Sequence, residues 1–168
     1  MPITTSDISF KLSGGSENAN PLAALGGTKS ATAVINNTLN NLFATASVAE
    51  LASGSVKYAC IYIDNTHGSI SCTAGVVYLL INTPSIDSAV AIGLGTSAVN
   101  GVEQTIADVN TAPSGVSFSS PSAVGSGISV PDIPAGQHQA LWIALTINAG
   151  AAAFENDGCT LAYQCASL

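Results

Sequence analysis

The pattern of hydrophobic and polar positions changes near residue 55. Before that point, short apolar pieces such as residues 8–12 are separated by dense turn formers, for example in residues 13–16 and 18–21. Gly, Pro, Asn and Ser at this density interrupt regular elements. We therefore predict that residues 1–55 form an extended, loop-rich N-terminal arm, which packs on the core of the protein or reaches beyond it.

From residue 56 onwards, apolar residues alternate or run together over strand-like lengths, with turn signals between the runs. In the first run Tyr58, Cys60 and Tyr62 alternate with apolar residues, so both faces of this strand are predicted to be apolar. The spacing of leucines favours a short helix around residues 39–51. Further strands are predicted over residues 70–81 (bent at Gly75), 89–94, 116–118, 128–130, 140–147 and 159–164.

Many short strands separated by turns are typical of antiparallel sandwiches. We predict an all-β protein in which residues 56–168 form an antiparallel β-sandwich of the jelly-roll or Ig-like kind. The length of 168 residues and the 47% of hydrophobic residues suit one such domain with its own core.

The charge content of the sequence indicates which class of partner the protein binds. Only 8% of the residues are charged, against about 25% in an average soluble protein. Surfaces with so little charge tend to associate, so we expect the chain to lie against other protein. The net charge is −7, and Lys11, Lys29 and Lys57 are the only cations apart from histidine. We therefore expect neither nucleic acid nor an anionic membrane as a partner.

Two features of the sequence bear on where the protein is made. No apolar run approaches the roughly 18 residues of a membrane span. Residues 1–7 show neither the basic nor the apolar region of a signal peptide. We therefore expect synthesis in a host cytoplasm.

The sequence offers few candidates for catalysis. His67 and His138 lie in a predicted turn and in the polar approach to a strand, and there is no Gly-x-Ser-x-Gly motif. Residues 93–98 satisfy the dinucleotide-binding glycine pattern, but the turn-rich residues that follow make the required helix unfavourable. Residues 155–158 carry oxygen ligands suited to Ca²⁺, yet their pattern is above all that of a tight turn. We expect no enzyme activity, no metal and no cofactor.

The four cysteines are the remaining candidate site residues. Their spacing does not match a zinc site. Cys159 and Cys165 lie on one face of the last predicted strand, too far apart to bridge. Cys60 and Cys72 flank a turn and could face each other across a hairpin. Free thiols are favoured in a cytoplasm; the alternative is that disulfides, including bridges between subunits, form later in oxidising surroundings.

Several stretches carry a resemblance that covers nearly the whole chain. The start, from Ser6 to Gly15 with Asn20-Pro21 and Leu25-Gly26-Gly27, is similar to the start of a family of virion structural proteins of tailed bacteriophages. The other matching stretches are residues 50–67, 92–94, 103–118, 133–143, 148–154 and 156–161. These are turn and strand signatures without a catalytic motif.

The resemblance implies a β-sandwich that serves as a structural part of the virion. Its location would be the head, as a decoration (cement) protein, or the neck, collar or tail. Its partners would be the major capsid protein or neck and tail proteins, together with copies of itself. A non-enzymatic protein that binds and stabilises neighbouring virion subunits is our leading hypothesis. The alternative is a carbohydrate-binding module of a tail tip or fibre that recognises the host, which would require an exposed aromatic platform.

Overall fold

The strands form where β-branched and aromatic residues run between turn formers. A computed structural model describes residues 3–167 of the chain. Met1, Pro2 and Leu168, the outermost residues of the predicted 1–55 and 56–168 segments, lie outside the described residues. The elements are β1 (Ile8–Leu12), β2 (Gly26–Gly27), α1 (Val48–Ser53), β3 (Ser55–Asn65), β4 (Cys72–Ile81), β5 (Ser88–Leu94), β6 (Glu103–Thr105), β7 (Ile128–Val130), β8 (His138–Ile147) and β9 (Thr160–Ser167).

The strands form two main antiparallel sheets. The first sheet has the order β1-β3-β8-β5, and its centre is the pairing of β3 with β8, which is unbroken from Ser55 opposite Ile147 to Asp64 opposite His138. The second sheet has the order β7-β4-β9, with its register interrupted near Ala74, whose φ is 49°. The predicted all-β antiparallel sandwich is confirmed.

The two sheets bury an inner core between them. The alternate residues Ile61 and Ile63 of β3 point into it from the first sheet, and Val77 and Leu79 of β4 from the second. This inner core is completed by Cys72, Val90, Ile92, Val130, Ile133, Leu141 and Ile143.

A smaller, outer core covers the opposite face of the first sheet. Tyr62 and Trp142 lie there fully buried, packed with Cys60, Ala140 and Ile106. The loop after β6 and the β2–β6 pair supply the cover. This second core explains why β3 is apolar on both faces, as its sequence predicted, because the strand has protein above and below it.

A hydrogen-bonded network fixes the outer layer to the sheet. The Tyr62 hydroxyl donates to the Gly27 carbonyl and accepts from the Glu103 backbone N–H at 3.0 Å. Burial raises the pKa of Tyr62 to about 12, so its hydroxyl stays protonated and able to donate. One phenol thus connects β2 and β6 to the centre of the first sheet.

The N-terminal segment packs on the sandwich in the described residues. β1 is a strand of the first sheet, paired with β3 from Ile8 opposite Asn65 to Leu12 opposite Ile61. The rest of the segment is loop-rich up to the short helix α1. Ser47 begins α1 by accepting a hydrogen bond from the Glu50 N–H, and Gly54, with φ of 77°, ends it.

The helix predicted around residues 39–51 is found only over Val48–Ser53, and residues 39–47 are irregular. Two predictions about the strands also differ from the structure. Residues 116–118 form no strand; they run beside β5 and pair with it only through the isolated bridge between Ser119 and Ile92. β3 and β4 form no hairpin, because residues 66–71 carry the chain from the first sheet to the second. Both differences arise from tertiary contacts that turn residues alone do not specify.

The Tyr62 network generates a stability prediction. Tyr62→Phe removes the hydroxyl and leaves the buried Gly27 carbonyl and Glu103 N–H without their partner, so we expect a loss of about 1–3 kcal/mol in the free energy of unfolding. Urea denaturation measures it. Tyr78→Phe is the matched control, because the half-buried Tyr78 hydroxyl forms no hydrogen bond with the described residues. Equal losses in both variants would show that the network does not stabilise the fold.

Candidate interaction surface

A large groove opens at one end of the sandwich. Its volume is about 1590 Å³, and its floor is the inner face of the first sheet, with Ile61, Val90, Ile143 and Leu145. The second sheet contributes Ile81 at the rim. The groove therefore gives access to the apolar interior at a place where the two sheets are not closed over each other.

Two irregular segments form the walls of this groove, residues 33–46 and residues 151–159, and the second continues into the start of β9. The first segment contains no charged residue, and its asparagines make the turns: Asn37 and Asn40 both have φ of 55°. Asparagine tolerates this left-handed conformation better than most side chains. The chain is thereby held in an open loop without regular hydrogen bonding.

Large apolar side chains on the walls are exposed. Ile35 is 63% exposed, Leu39 66% and Phe154 53%. An exposed apolar patch around a concave site is the mark of a surface that contacts another molecule. Sequence analysis did not single these residues out. The signal that was available is Ile35 and Leu39, each followed by a pair of asparagines in a loop that carries no charge.

The charged side chains that line the groove are three carboxylates, and two of them are used in the fold. Asp87 accepts a hydrogen bond from the Ala152 N–H at 3.1 Å, and Asp157 accepts from Ser85 and Ser88. These contacts attach the second wall to the turn before β5. The carboxylates therefore position the loop and are not aimed as an acid–base pair at a bound substrate.

The helix α1 is attached to the sheet beside the groove by an ion pair. Lys57 Nζ lies 2.8 Å from the Glu50 carboxylate and also donates to the Ala44 carbonyl, in the first wall, at 3.4 Å. The Lys57 hydrogen bond, with help from the Ser47 N–H, lowers the pKa of Glu50 to about 2. The pair thus fixes the first wall against β3.

The four cysteines lie in three environments, with Cys72 and Cys165 as neighbours, and all are free thiols. Cys60 is in the outer core and Cys72 in the inner core, so the two do not face each other across a hairpin. Cys165 packs on the inner core from β9, and Cys159 is exposed just before that strand. Burial raises the pKa of Cys60, and burial together with the neighbouring Cys165 thiol raises that of Cys72 to about 12.

The two histidines serve local structure. His67 Nδ1 accepts hydrogen bonds from the Ser69 and Ile70 N–H groups, which closes the turn after β3. His138 packs edge-on against Tyr62 with ring centroids 4.9 Å apart, and burial lowers its pKa. Neither histidine is hydrogen-bonded to a serine or cysteine side chain in the described part of the chain.

The glycines of the dinucleotide-like pattern serve packing. A Cβ at Gly93 would collide with Val116, and a Cβ at Gly95 with Ala140 and the Glu103 carboxylate. No helix follows them in the described residues. Burial raises the pKa of Glu103, but hydrogen bonds from Ser97 and Thr96 outweigh it and leave that pKa low.

Within residues 3–167 no cluster of three or more potential metal ligands is found, and no helix is long and apolar enough to cross a membrane. The aromatic side chains offer no exposed platform in this part of the chain either. Trp142 and Tyr62 are fully buried, and Tyr58, Tyr78 and Tyr163 are half-buried.

The class of protein that the fold defines is an all-β antiparallel sandwich with an open apolar groove. Comparison of the chain with protein-family models, curated proteins and solved structures finds no match.

Thiol accessibility generates a labelling prediction. In the native protein we expect a thiol reagent to modify Cys159 first and Cys165 more slowly, whereas Cys60 and Cys72 react only after unfolding. Peptide mapping after timed labelling measures the order. Rapid native labelling of Cys60 would contradict the buried outer core.

The Glu50–Lys57 pair generates a pH prediction. Because the folded pKa of Glu50 is about 2, below its ordinary 4.5, the pair stabilises the fold above pH 4.5 and this contribution is lost as the pH falls towards 2. Lys57→Met should give a shallower decline in unfolding free energy over that range. Since the carboxylate is partly exposed, screening limits the difference to about 1 kcal/mol or less.

Denaturation at several pH values measures this difference. Lys11→Met is the matched control, because Lys11 donates to the Ala31 carbonyl and forms no ion pair in the described residues. A decline as steep in Lys57→Met as in the unchanged protein would show that the ion pair has no part in it.

Proposed function

We propose that this protein is a structural component of a tailed-phage virion. It binds and stabilises neighbouring virion subunits, as a capsid decoration (cement) protein or as a collar component of the neck or tail. The observation that carries the proposal is the exposed apolar groove in a chain with only 8% charged residues. The resemblance of the chain to phage virion proteins is the reason for proposing that its partners are virion subunits.

The composition of the groove walls fits a protein partner. Protein interfaces are depleted of charge at their centre, and their apolar core is surrounded by polar groups that exclude water. The first wall has this character, with Ile35 and Leu39 among Asn and Thr side chains and no charge. A neighbouring subunit that inserts an apolar segment would cover these residues and the strand ends beneath them.

The action that follows is mechanical. Each contact of this kind is modest, but many copies on a symmetric particle engage together, and linked contacts bind far more tightly than single ones. No bond is made or broken. Such a protein holds its neighbours at a fixed spacing and makes their separation cost more.

The alternative, a carbohydrate-binding module, receives no specific support. Sugar recognition uses aromatic faces that are open to solvent, and the Trp and Tyr side chains of the described residues are buried or half-buried. Phe154 is exposed but has no aromatic neighbour with which to form a platform. Specific binding of the protein to glycans on an array would support this alternative.

The protein composition of purified virions tests the proposal. We expect quantitative mass spectrometry of purified virions, with heads and tails separated, to find this chain in one fraction at a copy number that follows the symmetry of that part. Absence of the chain from purified particles would overturn the proposal.

A pair of variants tests the groove itself. Ile35→Asp combined with Leu39→Asp places two charges on the first wall, and we expect it to weaken binding to particles that lack the protein by about tenfold or more. Leu22→Asp combined with Val102→Asp is the control, because these side chains are 43% and 65% exposed and lie outside the groove, so the same two charges are added elsewhere. A pull-down with depleted particles measures both. Equal binding by the groove variant and the unchanged protein would exclude this groove as the contact.

A further inference from the structure

The edges of the two sheets differ in how they are protected. The outer edge of β1 is covered by residues 30–34: the Leu12 N–H donates to the Thr32 carbonyl at 3.0 Å, and the Val34 N–H to the Phe10 carbonyl at 2.8 Å. This edge of the first sheet is therefore closed by the chain itself.

The outer edge of β5 is covered as well. Ile92 and Ser119 exchange two backbone hydrogen bonds of 2.8 and 3.0 Å. The Asn82 side chain accepts from the Val90 N–H at 2.8 Å and donates to the Val90 carbonyl at 2.9 Å, so a side-chain amide takes the place of a missing strand. Both edges of the first sheet are thus capped.

In the second sheet, β9 has a long uncovered edge. β9 pairs with β4 on one side, and none of its backbone groups makes a hydrogen bond to another described segment on its other side. β7, at the opposite edge, is only three residues long. Natural proteins usually protect a long edge strand with charges, proline or a covering loop, because bare edges pair with other chains. β9 has none of these devices in its sequence Thr-Leu-Ala-Tyr-Gln-Cys-Ala-Ser.

Beside this edge the sandwich has a second opening, which we call the seam. It is a pocket of about 370 Å³ between β1 and β9, lined by Ile8 and Phe10 on one side and by residues 163–165 on the other, with residues 3–5 of the N-terminal segment beside them. Ile8 and Phe10 also line the groove, so the two openings share a wall. A strand added to β9 would extend the second sheet over the seam and cover these half-buried apolar side chains.

We propose that β9 pairs antiparallel with β9 of a second copy of this chain, joining the two second sheets into one continuous sheet. The inference rests on the proposed function, in which the chain binds neighbouring subunits, and it specifies one neighbour and the strand that holds it. An antiparallel strand is complementary to itself across a two-fold axis, so one edge serves both partners.

Charge favours a second copy as the occupant. Each chain carries a net charge of −7, so two copies repel each other over most of their surfaces. None of the ten acidic residues lies in β9, so the two strands meet without like charges opposite each other. The edge is thus the surface on which two copies can approach closely.

The pleat restricts the register of the pair. Leu161, Tyr163 and Cys165 face the inner core, and residues opposite each other in an antiparallel pair project to the same face. Core-facing residues must therefore oppose core-facing residues, which places the two-fold axis through a residue. The two residues at the centre of β9 are Tyr163 and Gln164, so these are the two positions at which the axis gives the longest pairing. In both registers Gln164 and Ala166 project from the solvent face, each opposite a solvent-facing residue of the second copy.

Sedimentation velocity over a range of concentrations tests the proposal. We expect the unchanged protein to dimerise, and Gln164→Lys combined with Ala166→Lys to raise the dimer dissociation constant at least tenfold, because lysines on a bare edge oppose strand addition. The control is Ala107→Lys with Ala112→Lys, which adds the same charge at exposed positions of the loop after β6. Gln164→Ser with Ala166→Ser should still dimerise, and circular dichroism verifies that each variant is folded.

Amide hydrogen exchange supplies an independent measurement. The backbone amides of β9 should become more protected as the protein concentration rises, and this gain should be absent from the double-lysine variant. A protein that stays monomeric up to about 1 mM, where even weak pairing is detectable, would overturn the inference. So would a dimer that the β9 lysines leave intact.

These outcomes are separate from the test of the proposed function. A chain found in purified virions but monomeric in solution, with β9 unprotected, would refute strand pairing and leave the virion role standing. A β9-linked dimer that is absent from virions would refute the virion role and leave strand pairing standing.

Discussion

The long antiparallel pairing of β3 with β8 is the interaction on which the rest of this structure depends. It is buried on both faces, so each strand contributes alternate side chains to two cores. The inner core holds the second sheet, and the outer core holds the β2–β6 layer through Tyr62. A change in this pairing would therefore disturb every layer at once, including the floor of the groove, whereas the β9 edge lies at its periphery.

Much of this arrangement could be predicted from the sequence, because burial leaves a periodic signal. The apolar character of both faces of β3 predicted a strand covered on two sides, and the runs that became β4, β5, β7, β8 and β9 were recognisable. The assignment of β3 and β4 to different sheets could not be predicted, since a turn such as residues 66–71 specifies a reversal but not the sheet in which the next strand pairs.

The candidate interaction surface was harder to predict, because it depends on what is missing from the fold. Ile35 and Leu39 look like ordinary loop residues until the structure shows that nothing covers them. The bare edge of β9 becomes apparent only by comparison with β1 and β5, whose covering segments lie far away in the sequence. The low content of charge led us to expect a surface that lies against other protein, but it could not indicate where on the fold such a surface would be.

The burial of β3 on both faces also has a consequence for the chain during its synthesis. Ser55 pairs with Ile147, so the N-terminal partner leaves the ribosome long before its C-terminal partner exists. During that interval β3, apolar on both faces, has β1 as a partner on one edge but no partner on the edge that β8 will occupy. Folding that depends on such distant pairings is slow, and exposed apolar strands aggregate meanwhile. The pairing of β3 with β8 is thus a late step, and it is the step that ends this exposure.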